Sequence, residues 1–231
     1  MSGPSLRPEL APARLRHLVD ATRDIDAVTL SRHHVATPVD GRRAAVLVLI
    51  GESRGVEDGT GEPDVLLVER ASTLREHAGQ VAFPGGGTDP EDADPVATAL
   101  REAEEETGLD PSGVVPLALL PELYLPPSGF VVTPVLAHWA QPTAVHAVDA
   151  GETAAVVRVP LAHLADPAHR LKVGHPSGYV GPAFTAAGLL VWGFTGGILS
   201  ALLDLGGWTR PWNTTRVLDL DDAWSTARSH R

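Results

Sequence analysis

Two apolar runs separated by a polar loop dominate the first half of the chain. Residues 44–50 are all apolar, and residues 64–70 repeat the pattern between Asp64 and the closing pair Glu69-Arg70. Uninterrupted apolar runs are typical of central strands that are buried on both faces. Residues 51–63 between them hold four glycines and four acidic residues, which predicts an exposed, hairpin-like loop.

Helical periodicity marks the segments at 8–24 and 95–107. Asp94 and Pro95 form a good start for the second helix, and Gly108 forms a good stop. Further strands are predicted at 114–120, 131–139, 154–159 and 189–192, and further helices at 161–165, 195–205 and 221–228. No repeat or linker divides the chain, so we predict a single domain over residues 1–231.

The composition excludes several kinds of chemistry. The 231 residues include no cysteine, which rules out disulfides, thiolate zinc sites and cysteine nucleophiles. The formal net charge of -11 argues against nucleic acid and anionic lipid as partners. It permits a phosphorylated substrate wherever a metal ion or local arginines reverse the sign. No signal-like segment or membrane span is evident, so we expect a cytoplasmic protein.

The helix at 95–107 carries an unusual concentration of negative charge, because four of the six residues from Arg101 to Glu106 are glutamate. At about 100° per residue, Glu102, Glu105 and Glu106 fall within roughly a 100° arc away from the apolar face. Arg101 precedes Glu105 by four residues and can bridge to it. The helix macrodipole disfavours negative charge near a C-terminus, so local stability does not explain the run. Converging carboxylates suit Mg²⁺ or Mn²⁺, whereas the alternative is a solvated helix face.

A glycine turn, Phe83-Pro84-Gly85-Gly86-Gly87, lies upstream of this helix. Glycine lets the backbone approach a ligand closely and expose a carbonyl or an amide, although the triplet alone indicates only a tight turn. No Gly-Lys-Ser/Thr sequence follows, so the turn is not a P-loop.

Together the turn and the helix resemble the Nudix box, whose consensus is G-x5-E-x7-R-E-U-x-E-E-x-G-U, where U is a bulky aliphatic residue. The second half matches residue by residue at Arg101, Glu102, Ala103, Glu105, Glu106, Gly108 and Leu109. The first half departs from the consensus. If Gly86 is the box glycine, the loop is one residue longer, and if Gly87 is, the glutamate position holds Ala93, so the consensus glutamate is missing in either alignment. Asp89, Glu91 and Asp92 are the candidates to replace it.

A second string, residues 66–86, is similar to the signature that precedes the box in coenzyme A pyrophosphatases. The shared positions are Leu66, Leu67, Arg70, Ala71, Arg75, Gly79, Phe83, Pro84, Gly85 and Gly86. Val68 departs from this pattern, because it stands where the signature has threonine. Segments 127–130 and 191–195 are similar to the same subgroup, less specifically. The resemblance covers roughly residues 40–205 and leaves out the N-terminal helix and the C-terminal extension.

The resemblance implies a Nudix α/β/α sandwich, with a mixed sheet between helices and the box forming a loop–helix–loop motif. It assigns Glu102 and Glu106 as metal ligands for Mg²⁺ or Mn²⁺ and Glu105 as a ligand or as the catalytic base that orients water. It also suggests that Gly85 contributes its carbonyl and that Arg101 orients the glutamates without touching substrate.

Three further residues stay open. Arg70 and Arg75 are candidate substrate-binding residues, because a planar guanidinium pairs well with phosphate. The alternative for both is a surface salt bridge with a neighbouring glutamate. Glu152 precedes a predicted strand, in a region from which some Nudix enzymes draw an extra catalytic carboxylate.

The implied reaction is hydrolysis of the diphosphate bond of coenzyme A or its derivatives, giving 3′,5′-ADP and 4′-phosphopantetheine. Two alternatives remain: hydrolysis of another nucleoside diphosphate derivative such as ADP-ribose or a dinucleotide, and a non-catalytic Nudix-fold binding module. The expected partner is a small nucleoside diphosphate, with no nucleic acid, no membrane and a possible homodimer.

Overall fold

The computed structural model describes residues 5–31, 38, 40–52, 61–73, 78–126 and 128–228. Its strands are β1 Arg42–Glu52, β2 Pro63–Arg70, β3 Val81–Ala82, β4 Gly85–Gly87, β5 Val114–Leu119, β6 Leu123–Leu125, β7 Phe130–Trp139, β8 Thr153–Pro160, β9 Arg170–Gly174, β10 Val180–Ala186, β11 Leu189–Val191 and β12 Val217–Asp219. Its α-helices are α1 Ala13–Ala21, α2 Ala27–Leu30, α3 Pro95–Thr107, α4 Leu161–Ala165, α5 Gly193–Leu205 and α6 Leu220–Arg228.

A mixed eight-stranded sheet forms the centre of the molecule. The order β3-β2-β1-β7-β5 runs through it, with β4 on β1, β6 on β7 and β8 on β2. Strand β1 pairs in parallel with β7 and antiparallel with β2. Its residues are buried on both faces, as the uninterrupted apolar sequence predicts.

Strands β1 and β2 separate, and the glycine turn fills the gap between them. They pair only from Ile50 to Glu52 on the β1 side. Beyond that point β3 pairs with β2, and β4 pairs with β1 opposite Ala44, Ala45 and Val46. Gly85 has a φ of 155°, and a side chain there would collide with the β1 backbone. The glycine triplet is therefore built into the sheet.

Helices cover both faces of the sheet. Helix α3 packs on one face against a cluster that includes Ala45, Leu47 and Leu49. Helices α1, α4 and α5 pack on the other face in a cluster that includes Val48 and Ile50. This arrangement confirms the predicted α/β/α sandwich with a mixed sheet.

The predicted strands and helices after residue 95 agree with the structure to within about two residues. The segment at 8–24 differs, since it contains a short 3-10 turn at Pro8–Leu10 followed by α1. Pro12 separates the two pieces because it lacks the N–H that a continuous helix needs at that point. Most of the predicted loop at 51–63 lies outside the described residues.

A second, four-stranded sheet follows the first and was only partly predicted. Its order is β11-β10-β9-β12, and α6 packs on it through Ala223 and Ala227. Of its strands, only β11 is predicted by the sequence. Within the described part of the chain, no helix combines the length and the apolar character that a bilayer crossing requires.

Candidate active site

Helix α3 positions the acidic residues through its ends and its buried face. The Asp94 side chain accepts a hydrogen bond from the Ala97 N–H at 3.0 Å, and Pro95 occupies the first turn. Gly108, with a φ of 66°, ends the helix. Ala99 and Ala103 are fully buried against the sheet, and Glu102 and Glu106 approach β4 from the same helix.

Arg101 is the centre of a hydrogen-bond network on α3. Its Nη1 donates to Glu102 Oε1 at 3.0 Å and to Glu105 Oε2 at 3.1 Å, so the predicted four-residue bridge is present. Its Nη2 donates to the Gly87 carbonyl at 2.9 Å, which ties the helix to the glycine strand. The guanidinium thus holds two glutamates and one backbone oxygen in a fixed arrangement.

Of the three candidates to replace the consensus glutamate, Asp92 makes hydrogen bonds with Arg101. Arg101 Nε lies 3.1 Å from Asp92 Oδ1 and Nη2 lies 2.9 Å from Oδ2. The Asp92 side chain is only 6% exposed, and Oδ2 also accepts the Asp89 N–H at 2.9 Å. Hydrogen bonding from Arg101 lowers the pKa of Asp92 to about 2. Asp89 lies further from Arg101, at 3.7 Å, and is 61% exposed.

Glu106 is the most deeply buried of the glutamates. Its Oε2 accepts the Gly85 N–H at 3.1 Å, its Oε1 lies 4.0 Å from Arg70 Nη1, and its side chain is 11% exposed. Burial raises the pKa of Glu106 to about 7, and the nearby negative charges of Glu102 and Glu152 act in the same direction. The Gly85 N–H and Arg70 oppose that rise only in part.

Glu102 lies directly against the glycine strand. A Cβ placed on Gly86 would come within 2.5 Å of the Glu102 carboxyl carbon, so a larger residue there would displace the carboxylate. Burial raises the pKa of Glu102, and its ion pair with Arg101 lowers it. Two glutamates, Glu102 and Glu106, therefore approach the glycine strand at Gly85 and Gly86.

The three predicted carboxylates are less closely gathered than the helical arc suggests. Glu105 is 59% exposed and is drawn to Arg101, whereas Glu106 turns towards Gly85. Across the described ranges, no three acidic or histidine side chains form a ready-made metal cluster. The donors at the turn still fit a hard divalent cation, because they are oxygen atoms and the Glu106 carboxylate is buried with its charge only partly neutralised.

Two further residues adjoin the site. Arg70 approaches Glu106, as described, and its side chain is 34% exposed with its Nε buried. Glu152 lies near enough to raise the pKa of Glu106. Arg75, the second candidate substrate-binding residue, lies outside the described residues.

The position of Glu152 depends on the loop between β7 and β8, which makes hydrogen bonds with the end of α3 and with the residue after β2. The Val148 N–H donates to the Glu106 carbonyl at 3.3 Å, and Asp149 forms a turn by accepting the Thr153 N–H at 2.8 Å. The Ala71 N–H then donates to the Glu152 carbonyl at 2.8 Å. The sequence carries no signal for this connection, because it is made by backbone groups.

Comparison with known proteins agrees with this architecture. A family model described as the NUDIX domain matches residues 41–177, which is more than half of the chain. The chain belongs to the Nudix hydrolase family.

Relatives that bear the name Uncharacterized Nudix hydrolase NudL are similar to this chain. The protein from Cronobacter sakazakii is 42% identical over 153 residues, which cover 64% of this chain and 73% of that protein. The protein from Escherichia coli K12 is 40% identical over 139 residues, which cover 58% of this chain and 68% of that protein. A crystal structure of RenU, a Nudix hydrolase from M. smegmatis, has a TM-score of 0.50 at 20% identity and covers 74% of this chain and 89% of that one. That likeness supports the fold alone.

The buried charge of Glu106 predicts that Glu106→Gln stabilises the protein in metal-free buffer. The unfolded chain releases the Glu106 proton near pH 4.5, whereas the folded state holds it until about pH 7, so charging this group costs stability across that window. The variant should exceed the wild type by on the order of 1–3 kcal/mol above pH 7, with no difference below pH 4.5. Urea unfolding at both pH extremes measures this, and a variant less stable than the wild type at pH 8 contradicts it.

The two hydrogen bonds between Asp92 and Arg101 predict that Asp92→Asn destabilises the fold at neutral pH. Because the pKa of Asp92 is lowered from 3.8 to about 2, its contribution is present above pH 3.8 and is lost as the pH falls through about 2. We expect a loss of roughly 2 kcal/mol at pH 6 that shrinks between pH 4 and pH 2. Glu91→Gln is the matched control and should change the free energy of unfolding by less than about 0.5 kcal/mol. Equal effects of the two substitutions would remove Asp92 from its assigned role.

Proposed function

We propose that this Nudix hydrolase cleaves the diphosphate bond of coenzyme A or its derivatives, giving 3′,5′-ADP and 4′-phosphopantetheine or acyl-phosphopantetheine. The observation that carries the proposal is the continuity of two motifs. The signature at 66–86 runs through β2 and the glycine turn directly into the site that the α3 glutamates face. Its Arg70 reaches the same glutamate, Glu106, that the Gly85 N–H binds.

Glu102, Glu106 and the Gly85 carbonyl would hold Mg²⁺ or Mn²⁺, with Glu105 as an additional ligand or as the base. The ion, when bound, supplies charge neutralisation of the phosphate oxygens and a lowered pKa for a coordinated water. The chain itself contributes a buried pair of carboxylates that are fixed against the glycine strand by Arg101 and by the Gly85 N–H. Preorganisation of this kind means that little rearrangement is needed at the moment of reaction.

In the proposed hydrolysis, a water oxygen adds to one phosphorus, and the P–O bond to the bridging oxygen breaks so that the other phosphate leaves. Glu105 is the best-placed base, because it is 59% exposed and accessible to water while Arg101 restrains its position. Glu152 is the second candidate base, on account of its proximity to Glu106. Arg70 would pair with a phosphate oxygen of the substrate.

A second substrate class keeps some support. Val68 departs from the coenzyme A pyrophosphatase signature, and ADP-ribose or a dinucleotide offers the same diphosphate group to the same residues. A non-catalytic binding module is disfavoured, because Glu102, Glu105 and Glu106 are all retained. The cytoplasmic location and the possible homodimer stay predictions.

A product assay tests the proposal. The full chain is incubated with Mg²⁺ or Mn²⁺ and separately with coenzyme A, ADP-ribose or NADH, and the products are separated by chromatography. We expect 3′,5′-ADP from coenzyme A, and we expect Glu105→Gln to lower turnover by about a hundredfold or more while the far-UV circular dichroism stays unchanged.

Glu104→Gln is the control for this assay, because Glu104 is an exposed glutamate on the same helix and its substitution makes the same change in charge. It should turn over coenzyme A at the wild-type rate. Cleavage of ADP-ribose or NADH without cleavage of coenzyme A would transfer the proposal to the second substrate class, and no cleavage of any of the three would refute hydrolysis of these compounds.

A further inference from the structure

The placement of Arg70 is set by an irregularity in the sheet. Strands β2 and β8 pair regularly up to Glu69, where the register shifts before Arg70 pairs with Thr153. A bulge of this kind changes the direction of a side chain and is common beside active sites. The backbone of Arg70 is nonetheless fixed, because its N–H donates to the Gln80 carbonyl at 2.9 Å and its carbonyl accepts the Gly79 N–H at 3.1 Å.

The guanidinium of Arg70 uses few of its donors. Its Nη1 lies 4.0 Å from Glu106 Oε1, a distance at which the charges attract but no hydrogen bond forms. Its Nε is buried and, among the residues that the structure describes, has no hydrogen-bond partner. An arginine carries five N–H donors, so most of the binding capacity of Arg70 remains unused at the edge of the site.

The guanidinium of Arg101 differs from that of Arg70 in its hydrogen bonding. All three of its nitrogens donate, to carboxylate oxygens and to the Gly87 carbonyl, at 2.9–3.1 Å. Its position is therefore determined by the protein alone. Within the described part of the chain, Arg70 instead has one long ion pair, with Glu106, so it can exchange that partner for another anion at little cost.

Through this ion pair, Arg70 would compete with a metal ion for the Glu106 carboxylate. A divalent cation on Glu106 would bring a second positive charge close to the guanidinium, and like charges at such separations repel. A phosphate between the metal ion and the guanidinium relieves that repulsion, because its negatively charged oxygens can contact both. The planar guanidinium also suits a bidentate contact with phosphate.

We propose that Arg70 couples metal binding to substrate binding: it weakens the hold of Glu106 on a divalent cation while no phosphate is bound, and it binds the diphosphate of the substrate when one is present. This inference rests on the proposed metal-dependent hydrolysis. Thermodynamic linkage makes this effect reciprocal. If bound substrate raises the affinity for the metal through Arg70, bound metal raises the affinity for the substrate by the same factor.

The test measures Mn²⁺ affinity in the absence of substrate and, separately, the kinetics on coenzyme A at saturating Mn²⁺. Electron paramagnetic resonance of free Mn²⁺ gives the affinity of the full chain. Arg70→Gln should bind Mn²⁺ alone about threefold to tenfold more tightly than the wild type, because the competing cation is gone. Its KM for coenzyme A should rise by about tenfold or more, with a much smaller change in kcat.

Two variants isolate the cause. Arg70→Lys keeps the charge but loses the planar fork, so its affinity for Mn²⁺ alone should match the wild type while its KM is still raised. Arg70→Lys also provides the test if Arg70→Gln is too unstable for the Mn²⁺ titration. Arg23→Gln removes the same charge from an exposed ion pair with Asp20 on the N-terminal helical region and should change neither quantity.

The outcomes separate the inference from the proposed function. Unchanged or weaker Mn²⁺ binding in Arg70→Gln, alongside measurable binding in the wild type, overturns the coupling and leaves Arg70 a structural partner of Glu106. An unaltered KM in that variant overturns the contact with substrate. A wild-type chain that binds no Mn²⁺ at all removes the proposed metal-dependent function, and the inference with it.

Discussion

The negative charge gathered on α3 is the constraint around which the site is arranged. Glutamates near the end of a helix repel one another and oppose the macrodipole, and burial adds a desolvation cost. The protein compensates this cost to different degrees at the different glutamates. Arg101 neutralises Glu102 and Glu105 through hydrogen bonds, whereas Glu106, among the described residues, is bound by one backbone N–H and approached by one distant guanidinium. The least compensated carboxylate is thus also the one that accepts a backbone hydrogen bond from the glycine turn.

This uneven compensation has a structural origin in the central sheet. Strands β1 and β2 part after a short region of pairing, and the glycine turn occupies the gap, where its Gly85 N–H donates to Glu106. Gly86 leaves space for the Glu102 carboxylate, and Gly85 accepts a backbone conformation that other residues rarely adopt. Stability and site geometry are therefore joined at one place, since the same residues complete the sheet and face the acidic helix.

The sequence predicted the parts of this arrangement that repeat regularly. Strand β1 and helix α3 have long apolar or amphipathic patterns with clear ends, so their positions followed from periodicity and capping residues. Strands β3 and β4 have two and three residues, too few for any periodic signal, and their pairing depends on the separation of β1 and β2. The second sheet was largely missed for the same reason, because short strands such as β12 gain their stability from tertiary contacts.

The candidate site shows the same division. The bridge from Arg101 to Glu105 follows from helical spacing and was predictable. The closer pairing of Arg101 with Asp92 than with Asp89 or Glu91 was not predictable, because it depends on how a lengthened loop returns to the helix. The approach of Arg70 to Glu106 was also hidden, since a bulge in the sheet determines the direction of that side chain. The family assignment came from the motif, whereas these contacts required the structure.

Anomalous diffraction from crystals of the full chain grown with Mn²⁺ tests the central claim most directly, because it locates the ion without relying on turnover. The account predicts an anomalous peak between α3 and β4, coordinated by the carboxylates of Glu102 and Glu106 and by the Gly85 carbonyl. A map with no peak at that position, while Arg101 and Arg70 keep their carboxylate partners, would contradict the account.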